Sequence, residues 1–584
     1  MSDHIIVGYA NTYHDPAIAI VDGESVFAEA IERSSQNKRA RWQAGIGYTP
    51  SNFRKALARA GITIDRKVSL HVRSTWRFSL VERLFLMALG LYWKIRPIYG
   101  PLPAGVPSEL ASLQKVSAYS VKWFLGSVPL FCEQLAHATS RGRAKIASVS
   151  AVRHHLTHAS NAVFTSAFEE CAVMVLDGQG ERHGASFYHY RNGAFKELAH
   201  CAHSLGFLYA RVTTLCGFSP VQGEEWKVMG LAGYGKCVPE IEEFFRSRTT
   251  VRGLGYELHF PESCWAELAK LTGGFRSEDD KDTLRSADLA ASFQEYFTGV
   301  VVALAKNLKD LGLSENLAYS GGCALNSSTN GRILQGSGFR ALHIPSAPAD
   351  DGNALGAALH EAHVVRRQVR RPKVESPYLG NEPDMEALER VLDFGYYKFR
   401  KFNSNGELVE ASARVLEEGK ILGWMQGRAE FGPRALGNRS ILADPRALRM
   451  KEEINRLVKF REGYRPIAPS ILHENGDEYF ERYEFSPYME RTLKFREELK
   501  NRVPAVVHED GTGRVQSVTR ELNPLYHELI SAFYRRAGVP MLVNTSLNVM
   551  GKPIVHGIED SLTLFGTTGL HALAIGNFLI EKSS

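Results

Sequence analysis

The chain has 584 residues, too many for one compact core, and at roughly 150 residues per domain it should divide into two to four. Hydrophobic residues at 44% and charged residues at 23% exclude extended disorder, and a net charge of +6 is too small for this length to argue for a nucleic-acid partner. Seven cysteines without a C-x-x-C pair exclude a disulfide framework and a zinc ribbon; the start, Met1–Gly8, lacks the basic and apolar regions of a secretory leader, so a cytoplasmic protein is expected.

In chain order, the apolar run Ile5–Tyr9 predicts a strand, followed by a polar loop with His14-Asp15, a second strand Ala17–Val21, a turn at Asp22-Gly23-Glu24 and a third strand Val26–Ile31. Basic residues at Asn37–Arg41 and Arg141–Arg143 read as solvated faces, and a polyanion contact is the sharper alternative. Residues 50–150 are mostly helical in pattern. Within them Ser79–Trp93 is apolar, but it carries Glu82 and Arg83 and falls short of the ~20 residues that span a bilayer, so a buried or partner-facing helix is expected. In His154-His155-Leu156-Thr157-His158 the outer imidazoles lie one helical turn apart and can share a metal ion; a polar helix would carry the same residues.

The opening pattern then returns. Ala172–Leu176 reads as a buried strand delivering Asp177 at its tip, the glycine-rich turn Asp177–Glu181 follows, and Ala185–Tyr188, a turn at Asn192-Gly193 and a strand from Phe195 complete it. Two such units predict a duplicated α/β domain; it resembles the acetate kinase, Hsp70 and actin superfamily, in which each first loop faces a central cleft. Gly223–Gly230 and helical sequence around 286–313 come next. Leu317–Ser320 then enters Gly321-Gly322 and a helix, a geometry by which backbone N–H groups approach phosphate. Asp350 precedes a small-residue helix, Ala354–Ala358, as a free carboxylate or as its N-cap.

A basic, proline-bearing stretch, Arg366–Lys373, marks a domain boundary, and strand and helix signals resume near Tyr396. From Gly423 onward arginine is dense beside Gly and Pro: Arg428, Arg434 and Arg439, then Lys459, Arg461 and Arg465. Rigid loops of this kind hold guanidinium forks for phosphate or carboxylate. Asp510–Arg514 and Val543–Asn548 add polar groups at strand ends, where turn formation is the plain reading.

Taken in order, several of these segments resemble the NodU/CmcH family of O-carbamoyltransferases over essentially the whole chain. They are His14-Asp15, His154 with His158, Val175–Gly178, Lys227–Leu231, Gly321–Asn326, Phe431–Leu442, Asp510–Thr512 with Arg514, and Asn544–Ser546. The resemblance implies an α/β protein: a duplicated actin/Hsp70-like (ASKHA) domain over 1–365 with a helical insert at about 50–150, a linker over 366–394, and a smaller YrdC-like domain over 395–584. It implies that carbamoyl phosphate and ATP with Mg²⁺ give carbamoyl adenylate in the C-terminal domain. The carbamoyl group then moves to a hydroxyl of a small-molecule, secondary-metabolite acceptor in the N-terminal domain. The implied carbamoyl phosphate residues are Arg434, Lys459, Arg465, Arg514, Asn544 and Ser546, with Arg434, Lys459 and Arg465 also catalytic.

The implied metal ligands are His154, His158, Asp177 and Asp350, a two-nitrogen, two-carboxylate set that suits Fe(II) or another divalent transition metal. His14 is the candidate for contacting the carbamoyl group or deprotonating the acceptor hydroxyl. Gly178, Gly180, Lys227, Gly321, Gly322 and Asn326 would line the nucleotide cleft. No nucleic acid or membrane partner is expected, and a homodimer is. Leu547 stands where the family commonly has Phe, and Gly513 where it commonly has Ala. The competing readings are a small-molecule kinase on the same duplicated fold, which needs no arginine cluster, and an RNA-binding component of tRNA modification, which lacks aromatic interleaving.

Overall fold

The computed structural model describes residues 4–12, 14–23, 25–41, 48–62, 68–79, 81–82, 84, 118–139, 144–368 and 376–582, with the side chains of 118–126 left aside. The basic segments 141–143 and 370–373 and most of the apolar stretch 79–93 lie outside them. No helix among the described residues is long and apolar enough to cross a membrane.

Two five-stranded sheets carry the N-terminal part. The first contains β1 (His4–Ala10), β2 (Ala17–Asp22), β3 (Ser25–Ala30), β4 (Ser69–Ser74) and β5 (Lys145–Ala151), in the order β3-β2-β1-β4-β5. After helix α1 (His154–Phe164), the second contains β6 (Glu170–Leu176), β7 (Ala185–Arg191), β8 (Ala194–Cys201), β11 (Asn316–Ser320) and β12 (Ala341–His343), in the order β12-β11-β6-β7-β8. A separate hairpin joins β9 (Thr249–Arg252) to β10 (Gly255–Leu258). In each sheet the first strand pairs antiparallel with the second and parallel with the fourth, so the two halves share one topology and the duplication is of actin/Hsp70-like type. β1 and β6 have neighbours on both sides and are buried almost throughout, which is why both read as unbroken apolar runs.

Residues 50–150 are not wholly a helical insert, because β4 and β5 are integral to the first sheet. β4 mixes Leu and Val with His71 and Arg73, and β5 is largely exposed, so neither shows the apolar run that marks a central strand.

Helices α2 (Leu205–Leu215), α3 (Glu225–Ala232), α4 (Ala287–Lys309) and α5 (Ser327–Ser337) pack with the second sheet around one core that includes Phe187, Val212, Phe293 and Tyr319. Helix α6 (Gly352–His360) packs with α1, β1 and β2 through Ala354, Leu355, Ala358 and Leu359.

The smaller C-terminal part is a nine-stranded mixed sheet of β13 (Lys398–Lys401), β14 (Leu422–Met425), β15 (Arg439–Ala443), β16 (Ala468–Leu472), β17 (Arg491–Lys494), β18 (Thr512–Val518), β19 (Met541–Ser546), β20 (Ala572–Ile575) and β21 (Phe578–Glu581). Its order is β13-β21-β20-β14-β15-β19-β16-β18-β17. The expected linker does not end at Phe394 as a plain connector. Met385–Phe394 is a helix whose Leu388 and Leu392, one turn apart, join the C-terminal core. Ahead of it, the Ala28 N–H donates to Leu379 O, and the Gly380 N–H to Ala429 O, so this segment ties β3 to the C-terminal part.

Candidate functional site

His154, His158, Asp177 and Asp350 converge, and one ligand atom from each lies within 4.8 Å of the others, all four residues being buried. His154 Nε2 is 3.2 Å from Asp177 Oδ2 and 3.3 Å from Asp350 Oδ1; His158 Nε2 is 3.6 Å and 3.5 Å from the same oxygens. Each ligand is oriented from behind. His158 Nδ1 is 3.1 Å from Pro348 O, and an Nδ1–H donated there leaves the Nε2 lone pair for the cluster. Asp177 Oδ1 accepts the Gly322 N–H at 2.9 Å, which leaves Oδ2 for the histidines. This contact needs β11 to turn sharply beside β6: Gly321 has φ +98°, and a Cβ there would meet Leu176 O at 2.2 Å.

Asp350 is available because its neighbour caps the helix. Asp351 accepts the Gly352 N–H at 3.0 Å at the start of α6, so the N-capping considered for Asp350 falls one residue later. Helix α1 has no cap of its own; Glu181, from the glycine turn after β6, accepts the His154 and Arg77 N–H groups at 2.9 and 2.8 Å. Burial opposes charge on His154, but Asp350 and Asp177 outweigh it and push the imidazole up to about 10. The pocket therefore draws positive charge, and buried His nitrogens with carboxylate oxygens and fixed outer partners fit a divalent transition metal.

His14 borders this cluster from the first repeat, its Nδ1 2.9 Å from Asp15 Oδ2 and 3.8 Å from Asp350 Oδ2. Arg39 grips Asp15 through Nε at 3.0 Å and Nη2 at 2.7 Å. Arg39 thus belongs to the site rather than to a solvated basic face. Sequence reasoning also missed Asn353, whose Nδ2 is 3.0 Å from His158 Nε2, and Trp76, whose ring lies 4.3 Å from that of His154. Asn353 sits two residues past the capping aspartate and Trp76 two residues past the unrecognised strand β4, so neither had a motif around it.

The expected nucleotide residues divide. Gly178 follows Asp177 in the chain and the Gly322 N–H is engaged by that carboxylate, whereas Gly321 lies against Leu176 and Gly180 against His155. Asn326 is occupied elsewhere: it caps α5 through the Thr329 N–H at 3.0 Å and bonds Gln294 at 2.9 Å. Lys227, on α3, pairs with Glu224 at 2.7 Å and lies 3.6 Å from Glu462 of the C-terminal part.

The arginines after Gly423 also divide. Arg439 is fully buried and donates to the carbonyls of Gln426, Gly427, Asn438 and Asn381; Arg428 donates to those of Val26 and Leu379. These two hold the chain together. Arg434 and Arg514 have no carboxylate partner among the described residues. Burial brings Arg434 down to about 10, and burial with neighbouring Arg434 and Arg461 takes Arg514 well below its ordinary value. Arg461, brought down to about 9 by burial and by Arg465, links this pair to Arg465 and Lys459. Lys459 is buried and donates to Ser546 O at 2.7 Å, Ser546 Oγ at 3.0 Å and Asn548 Oδ1. Ser546 therefore anchors Lys459. Asn544 donates to Ser470 Oγ and Gln516 Oε1, each at 2.9 Å, and its Oδ1 is buried without a partner among the described residues. Among the described residues the one ion pair that these five cations make is Arg465 with Glu462, so the site is short of negative charge, which suits a polyanion.

Two family models match the chain: Carbamoyltransferase N-terminus over residues 5–359 and Carbamoyltransferase C-terminus over residues 413–582. The chain belongs to the carbamoyltransferase family. It is 37% identical over 445 residues to nodulation protein NolNO of Sinorhizobium fredii, which covers 74% of this chain and 64% of that protein. A Synechocystis sp. protein designated sll1178 is 33% identical across 99% of this chain and 97% of its own length. The 3'-hydroxymethylcephem-O-carbamoyltransferase of Amycolatopsis lactamdurans is 36% identical over 269 residues, 46% of this chain and 49% of that one. This carbamoyltransferase carries the buried His/Asp cluster within the part matched by the N-terminal model, and the arginine cluster within the part matched by the C-terminal one.

Proposed function

We propose that the protein is an ATP-dependent O-carbamoyltransferase with two sites. In the C-terminal part, carbamoyl phosphate loses its phosphate to water, and the resulting carbamate oxygen attacks the α-phosphorus of ATP, bound with Mg²⁺. Pyrophosphate leaves and carbamoyl adenylate forms. Arg434, Arg461, Arg465 and Arg514 with Lys459 would neutralise the phosphate, since always-charged guanidinium forks give up no proton in doing so. Ser546 would hold the Lys459 ammonium in place, and the Asn544 Oδ1 would accept from the carbamoyl NH₂ group.

In the N-terminal part, an acceptor hydroxyl attacks the carbamoyl carbon and AMP leaves. His14 takes the hydroxyl proton; Asp15, itself held by Arg39, fixes the ring at Nδ1 and presents Nε2 as the base. His154, His158, Asp177 and Asp350 would hold a divalent transition metal, Fe(II) on the donor set, which when bound withdraws charge from the adenylate phosphate and makes AMP a better leaving group.

The observation that carries this reading is the coexistence of both clusters on one chain, with α3 between them. Glu225 at its start neighbours Arg39 and His14, and Lys227 reaches Glu462. A kinase of the duplicated fold has no need of the second cluster. Purified protein given ATP, carbamoyl phosphate and Mg²⁺ without acceptor should yield carbamoyl adenylate, pyrophosphate and phosphate. Formation of ADP and a phosphorylated product alone would sink the proposal.

A further inference from the structure

Trp226 lies on α3, in the N-terminal part, yet its ring faces a C-terminal side chain. The Arg465 Cζ sits 3.9 Å from the indole centroid. We propose that Trp226 is a positioning residue for the C-terminal anion site, holding the Arg465 guanidinium flat so that its edge meets the phosphate of carbamoyl phosphate. This deepens the proposed function and rests on its assignment of Arg465.

A guanidinium stacked on an aromatic face uses only its π surface, and its N–H donors lie in its own plane and point outward from its edge, free to bond. Glu462 engages one of them, accepting from Arg465 Nη1 at 3.2 Å. Nε is buried and has no acceptor among the described residues. A buried donor left so is costly unless a ligand supplies the acceptor, and phosphate does.

The loop that carries Arg465 is fastened to α3 and the residues just after it. Glu462 is 3.6 Å from the Lys227 ammonium, which is tied to Glu224 at 2.7 Å, and the Tyr234 hydroxyl donates to Tyr464 O at 2.7 Å. The neighbouring domain therefore sets the tilt of the Arg465 fork. Arg465 itself is nearly buried, whereas Trp226 is 37% exposed, so the indole can be replaced without opening a core.

The test uses the full chain, with inorganic phosphate titrated calorimetrically and KM measured for carbamoyl phosphate in adenylate formation. Trp226→Ala should weaken phosphate about 5- to 30-fold and raise KM by the same factor, leaving the rate at saturation unchanged. Trp226→Phe, which restores an aromatic face, should recover binding to within about 3-fold of the parent. Parent affinity in Trp226→Ala, or an equal loss in Trp226→Phe, overturns the positioning role. Arg465→Ala separates the two layers. If it binds phosphate like the parent, the anion-site assignment itself fails; if it loses phosphate and Trp226→Ala does not, only the positioning role fails.

Discussion

Replacing His154 with alanine should separate the two halves of the reaction. The imidazole is fully buried, 3.2 Å from Asp177 and 3.3 Å from Asp350, and packed 4.3 Å from Trp76. Its loss removes one of four converging ligand atoms and leaves two carboxylates facing one histidine. Outer partners of a metal site are each worth about 10–100-fold in affinity, so losing an inner ligand should weaken metal binding by at least about 100-fold. The void left by the ring should also lower stability by about 2–5 kcal/mol, and His154→Gln, which keeps most of the volume, separates that loss from the loss of the ligand. The assay has three readouts: metal content of the purified variants, adenylate and pyrophosphate formed without acceptor, and acceptor-dependent release of AMP across a panel of sugar, macrolide and nucleoside alcohols. Both His154 variants should lack metal and transfer activity while forming adenylate at near the parent rate. Arg465→Ala should fail at adenylate formation instead. Failure of His154→Ala and Arg465→Ala at the same step would refute the two-site scheme, and full metal content in His154→Gln would refute the cluster as a metal centre.

Arg514→Met should abolish tight binding of carbamoyl phosphate yet leave melting temperature unchanged or raised, because it removes a buried cation that has no carboxylate partner among the described residues; a clear fall in melting temperature would show that the charge is compensated. Gly432→Ala should cost about 1–3 kcal/mol in a denaturant titration, since Gly432 has φ +123° and a Cβ there would meet Ser346 O at 2.2 Å across the seam between the two parts. Burial and Arg491 hold His343 down at about 3, so the unfolded chain binds its proton first as pH falls below the usual histidine range. The sign is a loss of stability on acidification, about 1–2 kcal/mol by pH 5, and His343→Gln should flatten that part of the pH–stability curve; an unchanged slope would mean that other groups carry it.

The duplicated sheet was legible because β1 and β6 are central strands flanked by pairing partners, and burial on both faces writes itself as an apolar run. β4 and β5 were not, because one carries His71 and Arg73 and the other is exposed along most of its length. The His/Asp constellation was readable as residue types but not as geometry. Glu181, Gly322 and Pro348 orient its members through backbone groups and across long separations in the chain, and no local spacing records such contacts. Likewise, Asp350 and Asp351 are equal candidates for a cap in sequence, and only the start of α6 at Gly352 assigns the duty to Asp351 and frees its neighbour.

The arginines show where sequence reasoning stops for a physical reason. Arg428, Arg434, Arg439 and Arg465 all stand close to glycine or proline, three of them in loops and Arg439 at the start of strand β15. What distinguishes them is the supply of acceptors. Both terminal nitrogens of Arg439 are engaged by backbone carbonyls and only its buried Nε lacks an acceptor among the described residues, so its terminal donors have nothing left to offer a ligand. Arg434 and Arg514 are buried against other cations, a state whose cost an arriving anion removes. A side chain of the first kind belongs to folding and one of the second to binding, and the difference lies in where distant carbonyls and carboxylates come to rest. The same reasoning brings in Arg461, which had no motif of its own: it sits within reach of Arg514, Arg465 and Lys459, so the field at the site is the sum over all of them, and removing any one should weaken the hold on phosphate that the others provide.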